Sequence, residues 1–108
     1  MREQIQGGAL TETTFLILLA LYEPSHGYKI MQFIEDRTQQ RVKLGAGTLY
    51  GAINTLAQKG WILSLPNVER KKMYQITPLG KQMCEQEQHR LQQLYILAQA
   101  IMEGDEGK

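Results

Sequence analysis

Residues 45–61 constrain the fold more than any other stretch, because the two sides of this segment demand different surroundings. At about 100° per residue, Leu49, Ala52, Ile53, Leu56 and Ala57 share one side of a helix spanning about residues 46–59, and that side needs a core. Gly47, Gly51, Asn54, Thr55 and Gln58 cluster opposite, with Thr48 and Tyr50 on the two shoulders. This outer face is slim, rich in hydrogen-bonding groups and free of ionised ones. A solvated face is ordinarily filled with Lys and Glu, and each glycine weakens a helix by about 1 kcal/mol relative to alanine. The pattern predicts that another body approaches closely. A DNA major groove, about 12 Å wide, admits a helix whose leading face is slim, and Asn, Gln and Thr are side chains that read base edges.

The next residues extend this reading. Gly60 suits a helix stop, residues 61–65 have the pattern of a strand, and residues 72–77 answer as a second strand, with Pro66 and Asn67 marking the turn region. Arg70, Lys71 and Lys72 are consecutive in this hairpin. Basic residues on a hairpin also serve to protect a sheet edge. Directly after a slim polar helix, they are expected to hold phosphates while the helix samples bases.

The formal net charge is only +1, so any attraction to nucleic acid has to come from distribution. Residues 1–27 carry −2, residues 28–65 carry +3, residues 66–81 carry +3 and residues 82–108 carry −3. The positive middle contains both candidate contacting elements.

A chain of 108 residues suffices for one core. Residues 1–10 contain Gly7 and Gly8 and little periodicity, which predicts a loose arm before Thr11 caps a first helix. Residues 15–22 are all apolar or aromatic, too short a run to span a bilayer and too apolar to lie against one neighbour alone. Pro24 ends that helix, and Ser25 is the expected cap of a second, which stops near Thr38 with Ile30, Met31 and Ile34 on its inner face. Residues 39–44 are expected to start the small sheet. Thr77 and Pro78 supply a cap and a first-turn proline for a long last helix reaching about residue 103. Its far half carries Leu91, Leu94, Tyr95, Ala98, Ile101 and Met102 within an arc of about 120°, a stripe that requires a partner surface. A two-fold homodimer would cover this stripe together with Phe15, Leu18 and Tyr22 of the first helix; a monomer folded back on itself is the alternative.

Chemistry of other kinds has little support. His26 and His89 lie in different helices without a ligand-spaced Cys or carboxylate, so no metal site or cofactor is expected. Ser25 and Ser64 lack an evident base, and no glycine-rich phosphate loop follows a strand, so no catalytic residue is assigned. The single cysteine, Cys84, and the missing secretory leader point to a reducing cytoplasm.

Four short motifs in order, His26-Gly27-Tyr28, Gly47-Thr48-Leu49-Tyr50, Lys59-Gly60-Trp61-Ile62 and Thr77-Pro78-Leu79-Gly80, make the chain resemble a short-form PadR transcriptional regulator over residues 11–80. The resemblance implies a bacterial homodimeric winged helix-turn-helix repressor, mainly α with a small β-hairpin, closed by one C-terminal dimerisation helix. On that division residues 1–10 form the arm, 11–77 the winged helix, 78–103 the dimerisation helix and 104–108 a tail. It implies that Thr48, Tyr50, Gly51, Asn54, Thr55 and Gln58 lie at the groove of double-stranded DNA bearing a pseudo-palindromic operator. Tyr28 and Lys29 would lie near its backbone, Arg70, Lys71 and Lys72 would form the wing, and a small aromatic effector would be sensed near the dimer interface. Relatives of this type often carry proline where this chain has Gly51. A protein-docking winged helix, or a ligand-binding dimer without DNA affinity, are the other classes open to such a sequence.

Overall fold

The computed structural model describes residues 8–104, so most of the expected arm and tail lie outside the described residues. Helices α1 (Glu12–Ala20), α2 (Gly27–Arg37) and α3 (Ala46–Gln58) are followed by strands β1 (Ile62–Val68) and β2 (Lys71–Ile76) and the long helix α4 (Pro78–Met102). The architecture is thus mainly helical with one antiparallel hairpin.

Local chemistry sets most of these boundaries. Thr11 caps α1 by accepting the Thr14 N–H at 3.1 Å, and Thr77 caps α4 with Pro78 in its first turn. Helix α2 departs from expectation: its cap is His26, whose Nδ1 accepts the Lys29 N–H at 3.4 Å. Ser25 is engaged elsewhere. Its backbone exchanges two hydrogen bonds with Tyr74, at 3.0 and 2.8 Å, so this residue supplies the stub of a third strand beside β2. Residues 39–44, expected in that place, make no sheet pairing; Gln39 and Gln40 take positive φ and turn the chain instead.

The wing also differs from its expected form. Both strands reach further toward the tip, and the reversal falls at Glu69 and Arg70, whose φ values of 51° and 70° give the left-handed turn that suits strand twist. Pro66 and Asn67 lie within β1. Leu65 pairs with Met73 and Val68 with Lys71, leaving one extra residue on β1, a bulge that accommodates a residue lacking an N–H.

The core joins Ile17, Leu18 and Leu21 to Ile30, Ile34, Leu49, Ile53 and Leu56, with Ile62, Tyr74, Ile76 and Cys84 closing it from the hairpin and α4. Leu18 is wholly buried in its own chain, so it is not available to a partner, contrary to the sequence expectation. An all-apolar helix gives no angular signal of which side faces inward. Ala57, expected in the core, is exposed on the flank of α3.

Helix α4 leaves this body. Cys84 and Glu87 are its last fully buried side chains, and from Leu91 to Met102 the large apolar residues are exposed. The molecule accordingly measures 61 × 35 × 21 Å, with a radius of gyration of 16.4 Å, where a compact chain of this size has about 13 Å. Phe15, Leu19, Tyr22 and Leu91 line a groove of about 410 Å³ between α1 and α4, with Cys84 beside them. Among the described residues no helix is long and apolar enough to cross a membrane.

Candidate nucleic-acid interface

Helix α3 turns Leu49, Ile53 and Leu56 into the core and leaves Gly47, Thr48, Tyr50, Gly51, Asn54, Thr55 and Gln58 exposed. Asn54 and Gln58 stand near the centre of that face, and among the described residues their amides make no hydrogen bond, so donor and acceptor capacity is open on both. Thr55 donates its hydroxyl to the Gly51 carbonyl at 3.2 Å and lies on the α1 side of the ridge, in a groove with Thr11, Thr14, Lys59 and Trp61. Tyr50 lies on the wing side.

The glycines of the ridge answer to no demand of the fold. A Cβ added at Gly47 or Gly51 would meet no heavy atom within 4 Å among the described residues, and neither glycine adopts positive φ. Alanine would fit at both and strengthen the helix by about 1 kcal/mol each. Gly27 is the opposite case. A Cβ there would overlap the Tyr50 hydroxyl and ring, so Gly27 is the seat that lets Tyr50 lie across the start of α2. Tyr74, buried and paired through its backbone with Ser25, has its hydroxyl pushed above its ordinary range, first by burial and second by the Tyr50 phenol. The close match of Gly27 to Tyr50 escaped sequence reading, although the His26-Gly27-Tyr28 motif marked the spot.

His26, Gly27, Tyr28 and Tyr50 face Arg70, Lys71 and Lys72 across a cleft of about 520 Å³. Tyr28 is 67% exposed at its rim. Lys29, on the next position of α2, is exposed outside the cleft lining.

The cations of residues 8–104 sort into three groups. Arg41 pairs with Glu12, Lys43 with Glu35 and Arg90 with Glu87. Arg37 lies over Phe33, Lys59 over Trp61 and Lys81 over Tyr22, each about 5 Å from the ring centre. The remaining four, Lys29, Arg70, Lys71 and Lys72, have neither kind of partner among the described residues. Arg70, Lys71 and Lys72, expected at phosphates, line the cleft opposite Tyr28 and Tyr50, while Lys29, placed near the backbone by the resemblance, is exposed outside it.

Sequence and structure comparisons agree with this geometry. The model of the Transcriptional regulator PadR-like family matches residues 15–86. The chain belongs to that family. A 37.1 kDa protein in transposon TN4556 of Streptomyces fradiae is 36% identical over 84 residues, which is 77% of this chain but 24% of that protein, so the chain spans about a quarter of this curated relative. A PadR family transcription regulator from Clostridium difficile superposes with a TM-score of 0.73 at 22% identity, covering 85% of this chain and 99% of the other. Bacillus subtilis PadR, solved in complex with operator DNA, superposes with a TM-score of 0.62 at 24% identity over 69% of this chain and 45% of its own. The chain carries the exposed, uncharged ridge on α3, and the cationic hairpin follows it directly in the sequence.

The residues expected at a dimer interface divide differently. Phe15, Tyr22 and Leu91 line the α1/α4 groove, while Leu94, Tyr95, Ala98, Ile101 and Met102 lie exposed on the projecting part of α4. Sequence reading passed over Leu19, Ile96 and Leu97, which are also exposed, because two of them fall off the main stripe. It also passed over Glu87, a buried carboxylate that accepts the Leu10 N–H at 3.1 Å and pairs with Arg90 at 2.5 Å. The available signal was its angular position, on the apolar stripe one turn before Leu91.

Proposed function

We propose that the chain is a homodimeric, sequence-specific DNA-binding repressor that works in the bacterial cytoplasm. The observation that carries this reading is the coincidence of two glycines the fold does not need, on a helix whose Tyr50 lines the cleft facing Arg70, Lys71 and Lys72, with the absence of any ion-pair or ring partner for those three cations among the described residues. A slim neutral ridge flanked by uncommitted positive charge has little use within a monomer and fits a groove between phosphate rows. Family membership and the solved operator complex of a neighbour support the same class.

In this reading the two α3 helices of a dimer enter successive major grooves about 34 Å apart on a pseudo-palindromic site. Asn54 contacts a base edge, adenine by preference. Gln58, Thr48, Tyr50 and Thr55 make mixed base and phosphate contacts past Gly51, and Tyr28 and Lys29 hold the backbone. Arg70, Lys71 and Lys72 supply mainly salt-dependent affinity. The exposed faces of α1 and α4 form the subunit contact, and the groove walled by Phe15, Leu19 and Tyr22 would admit a small aromatic effector that releases DNA.

Selection of bound sequences from a random duplex pool tests this directly. A two-fold motif is expected; recovery of no motif overturns sequence-specific reading. On the selected site, Lys71→Ala should reduce the slope of log affinity against log salt by about one unit for each phosphate that the lysine neutralises in wild type. An unchanged slope removes the wing from the DNA interface.

A further inference from the structure

Thr77 stands where the end of α3, the start of β1 and the start of α4 meet. Its backbone N–H donates to the Trp61 carbonyl at 2.9 Å. Its hydroxyl donates to the Gly60 carbonyl at 2.7 Å and accepts the Gly80 N–H at 3.1 Å. One side chain therefore closes the first turn of α4 and holds the residue that ends α3. Capping alone would be met by Asp or Asn as well. Bonding a carbonyl while accepting an N–H through one oxygen requires a hydroxyl.

The surrounding residues leave this junction little freedom. Gly60, at φ 77°, takes the left-handed conformation that turns the chain from α3 into β1. A Cβ on Gly80 would overlap the Trp61 carbonyl oxygen and come within 2.6 Å of Ile76 Cγ1, so α4 rests directly on backbone rather than on a side chain that can swing aside. Pro78 fixes φ in the first turn of the same helix. The helix that carries the reading ridge and the helix that projects from the body are thus joined backbone to backbone.

We infer that Thr77 and Gly80 are positioning residues that set the spacing at which a dimer reads its two half-sites. The inference rests on the DNA-binding reading above. If α4 carries the two-fold contact, the angle held at this junction fixes how far apart the two α3 ridges lie. Separation of half-sites is a geometric property of the protein. The residues touch no DNA, and their effect falls on spacing rather than on the bases chosen.

The test uses the full chain and a series of duplexes carrying the selected half-sites at the preferred separation, one base pair closer and one base pair further, with a single half-site as reference. Wild type and Thr77→Ser, which keeps both hydroxyl bonds, should prefer the same separation to the same degree. Thr77→Val keeps the shape and removes both bonds. It should lower the affinity ratio between preferred and altered separations by about fivefold, the equivalent of one ordinary hydrogen bond, with single half-site affinity unchanged. Gly80→Ala, which must displace α4, should move the preferred separation itself. Retention of the wild-type ratio by folded Thr77→Val overturns the inference, and so does an equal weakening on single half-sites. Should Gly80→Ala fail to fold, the Val and Ser pair still decides. Failure of wild type to bind any duplex is a separate outcome, which overturns the DNA-binding reading on which the spacing role depends.

Discussion

The body of the molecule and the far half of α4 are built from similar residues under opposite rules. In the body, Ile17, Leu18, Leu21, Ile30, Ile34, Leu49 and Ile53 are sealed from water by their own chain. Beyond Arg90, α4 carries as many large apolar side chains, and they lie in the open, Met102 at 83% exposure. Helices draw most of their stability from packing an apolar face, and only the body supplies that packing within the chain. The lesson is that the body covers its own apolar residues, whereas the far half of α4 leaves its own uncovered, which is what the proposed subunit contact would account for.

Three substitutions or conditions sharpen this contrast. Ile34→Ala should have the largest effect, lowering unfolding free energy by about 2–5 kcal/mol in urea titration at any protein concentration, because the cavity lies wholly within one chain. Leu94→Ala should cost about 2 kcal/mol per subunit, and only at concentrations where subunits associate. A destabilisation independent of concentration would mean that α4 finds its cover within the monomer. The smallest effect belongs to pH at the border between the regions. The hydrogen-bonded Arg90 guanidinium holds the Glu87 carboxyl below its ordinary 4.5, against the effect of its burial and with help from the Leu10 N–H. A carboxyl depressed in the folded state stabilises above its unfolded value and loses that contribution as pH falls through the folded one. Thermal unfolding should therefore shift downward below about pH 4.5, and Glu87→Gln should flatten that part of the profile. An unchanged profile would show that the clasp between Leu10 and α4 contributes nothing to folding.

Much of the architecture was legible wherever one local rule governed. The inner stripe and glycine stop of α3 place it at about residues 46–59, one residue longer than the observed Ala46–Gln58, and Thr77 with Pro78 opens α4 where it begins. The readings that failed did so where a distant group decided. Ser25 has good capping chemistry, but its backbone is taken by Tyr74, so the cap moves to His26. Pro66 and Asn67 read as a turn, yet a bulge absorbs them and the chain reverses at residues without turn propensity. Leu18 could not be told from its neighbours on a helix apolar all round. At the site, the exposed ridge was visible as a gap in the usual Lys and Glu, whereas the fit of Tyr50 on Gly27 joins residues in two helices and has no signature at either one.

The tip of the wing has a consequence for how the protein tolerates change. Glu69 and Arg70 hold left-handed torsions that L-residues adopt at a cost of about 1–2 kcal/mol each, and glycine is the residue that relieves it. Glycine at position 70 would relieve that local cost and would remove one of the three consecutive cations of the hairpin. Heat resistance and positive charge thus pull in opposite directions at this one position of the hairpin tip.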